Sequence, residues 1–175
     1  SFGMASTPAM FMATVDEQLR ADGAVMVTAS HLPWNRNGLK FFTAKGGLEK
    51  ADIARILELA PQFIGTERSG NGEVKAVDFM ATYCDILANY IRRGVNDGDQ
   101  PLNGMRIIVD AGNGAGGFFA NKVLKPLGAD TTGSQFLEPD GHFPNHIPNP
   151  ENKEAMASIC KAVVDNKADL GIIFD

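Results

Sequence analysis

Apolar positions along this chain follow two different periods. Short continuous apolar runs predict strands, since such runs are typical of strands covered on both faces in a parallel sheet. They are AVMVT at 24–28, RIIVD at 106–110 and ADLGIIF at 168–174. Between them, apolar residues recur at steps of three and four and predict amphipathic helices. This alternation predicts the α/β class, with mainly parallel (mixed) sheets sandwiched by helices.

Five segments predict helices. The first covers 7–19, with Thr7 as its N-cap and Pro8 at the first helical position. A second, at 48–60, is expected to stop at Pro61, because proline cannot continue a helix. The others are predicted at 74–91, at 118–127 and from Asn149 and Pro150 onward. The stripes expected to face a core are Val74, Val77, Ala81, Cys84, Ala88 and Ile91 in the third helix, and Met156, Ile159, Cys160 and Val163 in the fifth.

The segment GVNDGDQPLNG, at 94–104, predicts a linker because it is dense in glycine, asparagine, aspartate and proline. We therefore expect two domains, 1–97 and 98–175. After RIIVD, the second contains the glycine-rich turn AGNGAGG, a helix, a short strand near 133–137, the loop EPDGHFPNHIPNP, a helix and ADLGIIF. This β-α-β-α-β order predicts right-handed crossovers, which place chemistry at the carboxyl ends of parallel strands.

Composition narrows the class of protein. Hydrophobic residues make up 44% of the chain and charged residues 21%, which argues against a disordered or fibrous protein. The 16 basic and 21 acidic residues are spread along the chain and give a net charge of -5, so we expect neither a nucleic-acid nor a membrane partner. Cys84 and Cys160 lie on the predicted stripes, which favours buried thiols in a soluble protein of a reducing, intracellular compartment.

The loop after the first strand carries candidate chemistry in Ser30 and His31. A turn or capping serine is one interpretation. A hydrolase nucleophile fits poorly, because the G-x-S-x-G elbow is absent and nothing marks the partners of a triad. In extended backbone the next residue, His31, would point away from Ser30. A serine that stores a phosphoryl group needs positive neighbours and backbone donors, and Lys40 and His31 are the cationic or acid/base groups available.

The run TASHLPWNRNGLK resembles the phosphoserine signature of the alpha-D-phosphohexomutases, T-A-S-H-N-P-x-x-x-N-G-x-K. The positions that match it without gaps are Thr28, Ala29, Ser30, His31, Pro33, Asn37, Gly38 and Lys40. The similarity continues through STPAMF, VDFMATY, IIVDAGNGAGG, PDGHFPNHIPNPEN and ADLGIIFD. Leu32 departs from the signature, which has asparagine there, and this variant resembles a subgroup from plant and algal plastids.

The resemblance implies an isomerase that interconverts hexose 1-phosphates and hexose 6-phosphates through a bisphosphate intermediate. Ser30 would carry the transferable phosphate, and His31 and Lys40 would handle protons and charge near the sugar hydroxyl. The implied cofactor is Mg²⁺, held by the Ser30 phosphate and by Asp175, with an activator of the glucose 1,6-bisphosphate type. Asp175 matches the first carboxylate of the family's D-x-D-x-D-R metal loop.

Members of that family have four domains around a cleft, and this chain matches the later part of the first and most of the second. The implied partners are a hexose phosphate and the remaining mutase domains, and we expect the chain alone to be inactive. The alternative is a non-catalytic binding or structural module that keeps the mutase fold. The implied location is the plastid stroma or the cytoplasm.

Two further patterns suggest chemistry and are given structural interpretations. AGNGAGG is similar to a dinucleotide-binding turn, but it is not a G-x-G-x-x-G turn with a well-placed acidic residue on the next strand, so we favour close helix-to-strand packing over an NAD-linked oxidoreductase. His142 and His146 are spaced like a metal pair, but Pro144 and Pro148 exclude a regular helix and favour a structural loop. Trp34 is expected to pack or to shelter substrate.

Overall fold

The computed structural model describes residues 1–66, 70–95 and 98–175, which form two compact units. The first consists of Ser1–Thr28 and Gly38–Phe79, and the second of Ala29–Asn37 and Met80–Asp175. The domain boundary predicted between residues 97 and 98 stays a prediction, and Asp97 lies outside the described residues. In the described ranges, no helix is long and apolar enough to cross a membrane.

The first unit contains helices α1 (Thr7–Val15) and α2 (Lys50–Leu59) and strands β1 (Ala24–Val27), β2 (Leu39–Thr43) and β3 (Gly46–Gly47). The strands form one antiparallel sheet in the order β1-β2-β3, with Val25 opposite Phe41. The expectation that AVMVT lies in a parallel sheet is therefore wrong. The physical reason is that no crossover helix separates β1 from β2, and parallel pairing requires such a connection.

Side-chain caps set the start of α1 differently from the prediction. Ser6, not Thr7, is the N-cap, because its hydroxyl accepts a hydrogen bond from the Ala9 amide at 3.4 Å. The helix also ends at Val15, four residues early, since the Asp16 carboxylate accepts from the Leu19 amide and closes a separate turn. For α2, the prediction that Pro61 marks its end is confirmed: the chain passes into a short 3₁₀ turn, Ala60–Phe63.

The second unit contains α3 (Phe79–Val95), β4 (Ile107–Asp110), α4 (Lys153–Asp165) and β5 (Leu170–Ile173). Strands β4 and β5 pair in parallel, with Ile107 opposite Leu170. A helical segment at 115–127 follows β4 and has a π-helical centre, Phe119–Leu124, between 3₁₀ turns. The strand predicted near 133–137 is instead an isolated bridge between Asp110 and Gln135.

Strand β4 lies at the centre of the second unit. All its residues are buried, which confirms the prediction from RIIVD that this strand is covered on both faces. One side contributes Ile107 and Val109 to a core with residues of α3 and of the 115–127 segment, and the other side places Ile108 against Ile159 and Ala162 of α4. The α/β class expected from the sequence is thereby confirmed.

Both predicted apolar stripes need correction. Helix α3 begins at Phe79, so Val74 lies outside it and is 89% exposed; Ala81 is exposed, whereas Cys84 and Ala88 are buried as expected. In α4 the inward residues are Ala155, Ile159 and Ala162, while Met156 and Cys160 are exposed. The predicted residues Ile159 and Val163 do face β5: a Cβ at Gly171 would lie 2.6 Å from the Val163 side chain and 3.0 Å from that of Ile159.

Candidate functional site

The segment 29–37, which leaves β1, carries Ser30 into the second unit. Two tight turns shape it: Leu32 donates its amide hydrogen to the Ala29 carbonyl, and Arg36 donates to Pro33. Ser30 itself has a φ of 55°, in the left-handed region that residues with a side chain seldom adopt. The backbone therefore changes direction at the serine.

Asp175, directly beyond β5, contacts both polar side chains of this segment. The Ser30 hydroxyl donates to the carboxylate, with Oγ 3.2 Å from Oδ1 and 3.3 Å from Oδ2. His31 Nδ1 lies 3.3 Å from the same Oδ1. The expectation that His31 points away from Ser30 is wrong, because the positive φ of Ser30 removes the extended alternation on which it depended.

Of the residues predicted for the site, the structure brings Ser30, His31 and Asp175 together within the second unit. Lys40 is an exposed residue of β2 and belongs to the first unit. The hydroxyl of Ser30 and the carboxylate of Asp175 are hard oxygen donors of the kind that Mg²⁺ binds. In the part of the chain that the structure describes, no group of three or more histidine, cysteine, aspartate or glutamate side chains is arranged to hold a metal ion.

The glycine-rich turn packs tightly, as the structural interpretation predicts. A Cβ at Gly116 would lie 2.7 Å from the Phe174 ring, and one at Gly117 would overlap the Leu137 carbonyl. Asn113, with a φ of 60°, is the polar centre of this turn, a role that no pattern in the sequence indicated. Its side-chain amide donates to the Glu138 carbonyl at 2.9 Å, and its side-chain oxygen accepts from Asn145 at 2.7 Å.

A buried pair, Asp110 and His146, lies at the carboxyl end of β4 and was also missed. The Asp110 side chain is 0% exposed and that of His146 is 4% exposed, with Nε2 3.0 Å from both carboxylate oxygens. Asp110 also accepts from the Gly112 amide at 2.9 Å and from the Gln135 side chain at 2.7 Å. The only hint in the sequence was an aspartate ending an otherwise apolar strand.

His142 and His146 have different partners. The His142 backbone amide and the His142 ring both form hydrogen bonds with the Asp140 carboxyl. These bonds hold the pKa of that carboxyl below its usual value, and the backbone bond has the larger effect. The His142 ring also lies against Trp34, with ring centroids 5.7 Å apart. Trp34 thus packs on the 138–150 loop while remaining 69% exposed.

Comparison with known proteins decides the family. Residues 81–175 match the family described as phosphoglucomutase/phosphomannomutase, alpha/beta/alpha domain II, and residues 1–62 match its domain I. The chain belongs to the phosphoglucomutase/phosphomannomutase family. Both phosphohexomutase matches agree with the resemblance seen in the sequence, and the subgroup from plastids stays a prediction.

Individual phosphoglucomutase/phosphomannomutase relatives cover almost the whole chain. It is 33% identical to a phosphoglucomutase from Neisseria gonorrhoeae and 35% identical to a phosphomannomutase from Escherichia coli, over 99% of its length in each case. A solved family protein from Burkholderia thailandensis superimposes with a TM-score of 0.76 at 27% identity, covering 99% of this chain and 37% of that one. The chain spans only 35% and 38% of the two enzymes, respectively.

Proposed function

We propose that this chain supplies the phosphoserine part of a phosphohexomutase, with Ser30 as the phosphate carrier. The observation that carries the proposal is the contact of Ser30 Oγ with the Asp175 carboxylate at 3.2 Å, in a chain of this family. Family membership supports the reaction class, and the position of Ser30 at a sharp backbone turn beside hard oxygen ligands supports its role.

The reaction proposed is two reciprocal phosphoryl transfers. In the first, the bond between phosphorus and Ser30 Oγ breaks while a hydroxyl of the hexose phosphate bonds to phosphorus, leaving Ser30 as a hydroxyl and the sugar as a bisphosphate. The proton lost by the sugar hydroxyl passes to a base and returns to Ser30 Oγ. His31 is proposed as an acid/base group because Nδ1 lies 3.3 Å from the carboxylate that contacts Ser30, and Lys40 as a positive charge for the phosphate.

Two groups of this chain would hold Mg²⁺: an oxygen of the Ser30 phosphate and the Asp175 carboxylate. Their proximity and their hard oxygen chemistry fit the ion. Bound Mg²⁺ would offset the negative charge of the phosphoryl group during transfer. Two ligands do not complete an octahedral site, so further oxygen ligands, water among them, would fill the remaining positions.

Turnover, the hexose substrate and the 1,6-bisphosphate activator are proposals for a protein with all four mutase domains. This chain spans about a third of its relatives, so its partners would be a hexose phosphate and the remaining domains. We propose that the 175 residues alone do not turn over. Incubation with glucose 1-phosphate, glucose 1,6-bisphosphate and Mg²⁺ tests this, and a normal rate would contradict it.

The phosphate carrier is tested by mass spectrometry of native protein. Trypsin cleavage after Arg20 and Arg36 releases the peptide 21–36, whose hydroxyl side chains are Thr28 and Ser30. We expect stable phosphate on Ser30, because the second of the two transfers returns a phosphoryl group to it. A peptide without phosphate, or with phosphate on Thr28, would favour the alternative of a non-catalytic module that keeps the mutase fold.

The location proposed is the plastid stroma or the cytoplasm. The variant signature at Leu32 supports the plastid, since it resembles the plastid subgroup. Detection of peptide 21–36 in purified plastids and in the cytosolic fraction of the same cells separates the two locations.

A further inference from the structure

The 138–150 loop is fixed firmly to the end of β4 although it contains no regular helix or strand. Asn113 holds one part of it through the Glu138 carbonyl and the Asn145 side chain, and the Asn113 carbonyl also accepts from the Asp140 amide at 2.8 Å. His146 holds the other part through Asp110. Polar contacts at both ends thus give an irregular loop a defined position.

Both nitrogens of the His146 ring lie within hydrogen-bond distance of a polar neighbour. Nε2 faces the Asp110 carboxylate, and Nδ1 lies 3.0 Å from the Ile147 carbonyl. The ring is thus held from two sides, by a side chain of β4 and by the backbone of the loop itself. The loop is therefore anchored by a buried contact between the His146 ring and the Asp110 side chain, a contact that leaves little freedom of orientation.

The outer part of the same loop contacts the segment that carries Ser30. Asp140 fixes the His142 ring through Nδ1 at 3.1 Å, and that ring lies against Trp34 with an interplanar angle of 36°. Segment 29–37 is consequently in contact with the rest of the second unit at Asp175 through Ser30 and His31, and at His142 through Trp34.

We propose that the 138–150 loop positions the Ser30 segment through the contact of Trp34 with His142. Trp34 and His142 are positioning residues in this arrangement, and Asn113, Asp110 and His146 hold the loop that presents His142. The contact between Trp34 and His142 does not depend on the reaction that the protein performs. Its effect on phosphoryl transfer rests on the function proposed above. The loop therefore links the strand end at Asp110 to the proposed phosphate carrier.

Limited trypsin digestion of the full chain tests this placement, because Arg36 is exposed and lies in the segment concerned. In the variant His142→Ala we expect cleavage after Arg36 to be roughly two- to tenfold faster, since loss of the tilted ring contact with Trp34 releases the segment more often. Asn113→Ala should act in the same direction. Glu138→Gln is the matched control, because its exposed side chain is not used and only its carbonyl binds Asn113.

Two further measurements separate positioning from general destabilisation. His142→Phe keeps a ring against Trp34 and should restore the slow cleavage. Trp34 is the only tryptophan in the sequence, so its emission and acrylamide quenching report this contact directly, and both should change in His142→Ala while circular dichroism stays unchanged. Unchanged cleavage and emission in His142→Ala, or fast cleavage in His142→Phe, would overturn the proposal. None of these readouts depends on phosphoryl transfer.

Discussion

Asp110 and His146 form a buried pair in which one ring nitrogen lies 3.0 Å from both carboxylate oxygens. They are 36 residues apart in sequence, and the pair joins the end of the central strand to an irregular loop. Additional donors, the Gly112 amide and the Gln135 side chain, complete the shell around the carboxylate. Buried polar groups need such hydrogen-bond partners, so the two side chains depend on one another.

Removal of either partner should destabilise the second unit strongly. For His146→Gln or Asp110→Ala we expect a loss of about 1–3 kcal/mol in the free energy of unfolding, because the remaining partner stays buried without the group to which it is hydrogen-bonded. Urea denaturation followed by circular dichroism measures this. The control is His142→Gln in the same loop, where a 72% exposed side chain should cost less than about 1 kcal/mol. Equal losses for the two histidines would contradict the structure.

Alanine substitutions at two glycines, Gly117 in the glycine-rich turn and Gly141 in the 138–150 loop, should have very different effects on stability. Gly117→Ala should destabilise by about 1–3 kcal/mol or more, because the added methyl overlaps the Leu137 carbonyl and the backbone has to move. Gly141→Ala adds the same methyl where no atom lies within 4 Å, and it should change stability by less than about 0.5 kcal/mol. Thermal melts of the two variants give the comparison, which fails if both behave alike.

The stability of the fold should depend on pH through Asp130, which is bridged to Arg106 at the start of β4. Hydrogen bonds from the Thr132 side chain, the Thr132 amide and Arg106 lower the pKa of this carboxyl from 3.8 to about 2. Because the pKa in the folded chain is below that in the unfolded chain, the stabilisation is complete above about pH 4 and is lost as pH falls towards 2. Melting temperatures between pH 5 and 2 should fall less steeply for Asp130→Asn, with Thr132→Val intermediate. Parallel curves for wild type and Asp130→Asn would refute this.

The two thiols should differ in reactivity. Cys160 is exposed on α4 and Cys84 is buried on α3, so one thiol should react at once with a disulfide reagent and the other only on unfolding. Absorbance of the released thiolate counts the reactive groups, and Cys160→Ser should abolish the fast phase. Two fast thiols in the folded wild type would show that the α3 face is not buried.

The sequence allowed prediction of the elements whose signal is local. The short apolar run in RIIVD indicated a strand covered on both faces, and that strand is buried. Pro61 marked the end of a helix because its ring lacks the amide hydrogen that a helix needs. The buried faces of the helices were harder to predict from the sequence. In α4 the predicted stripe contained Met156 and Cys160, which are exposed, whereas the side chains that lie beside Gly171 are those of Ile159 and Val163.

Contacts between residues that are far apart in the chain could not be predicted from the sequence. Ser30 and Asp175 are 145 residues apart, and only the family resemblance suggested that both serve one site. Asn113 and His146 stood in segments that were correctly interpreted as structural, but their partners depend on how the loop folds back. The antiparallel pairing of β1 was missed because periodicity reports burial and not strand direction.

The left-handed backbone of Ser30 implies a compromise between folding and chemistry. Holding a residue with a side chain at this φ costs about 1–2 kcal/mol, and glycine would avoid that cost. We expect Ser30→Gly to leave stability within about 1 kcal/mol of wild type, whereas the β-branched Ser30→Thr, which keeps a hydroxyl, should be clearly less stable. Urea denaturation of the two variants distinguishes them, and a stable Ser30→Thr would contradict this account.

If Ser30 is the phosphate carrier, the substitution that suits the backbone best is the one that removes its reactive oxygen. Selection for a more stable chain and selection for turnover would then act in opposite directions at this single residue. A copy of the protein released from catalysis would be free to acquire glycine at position 30. The residue found there in related chains is accordingly a record of whether each still performs chemistry.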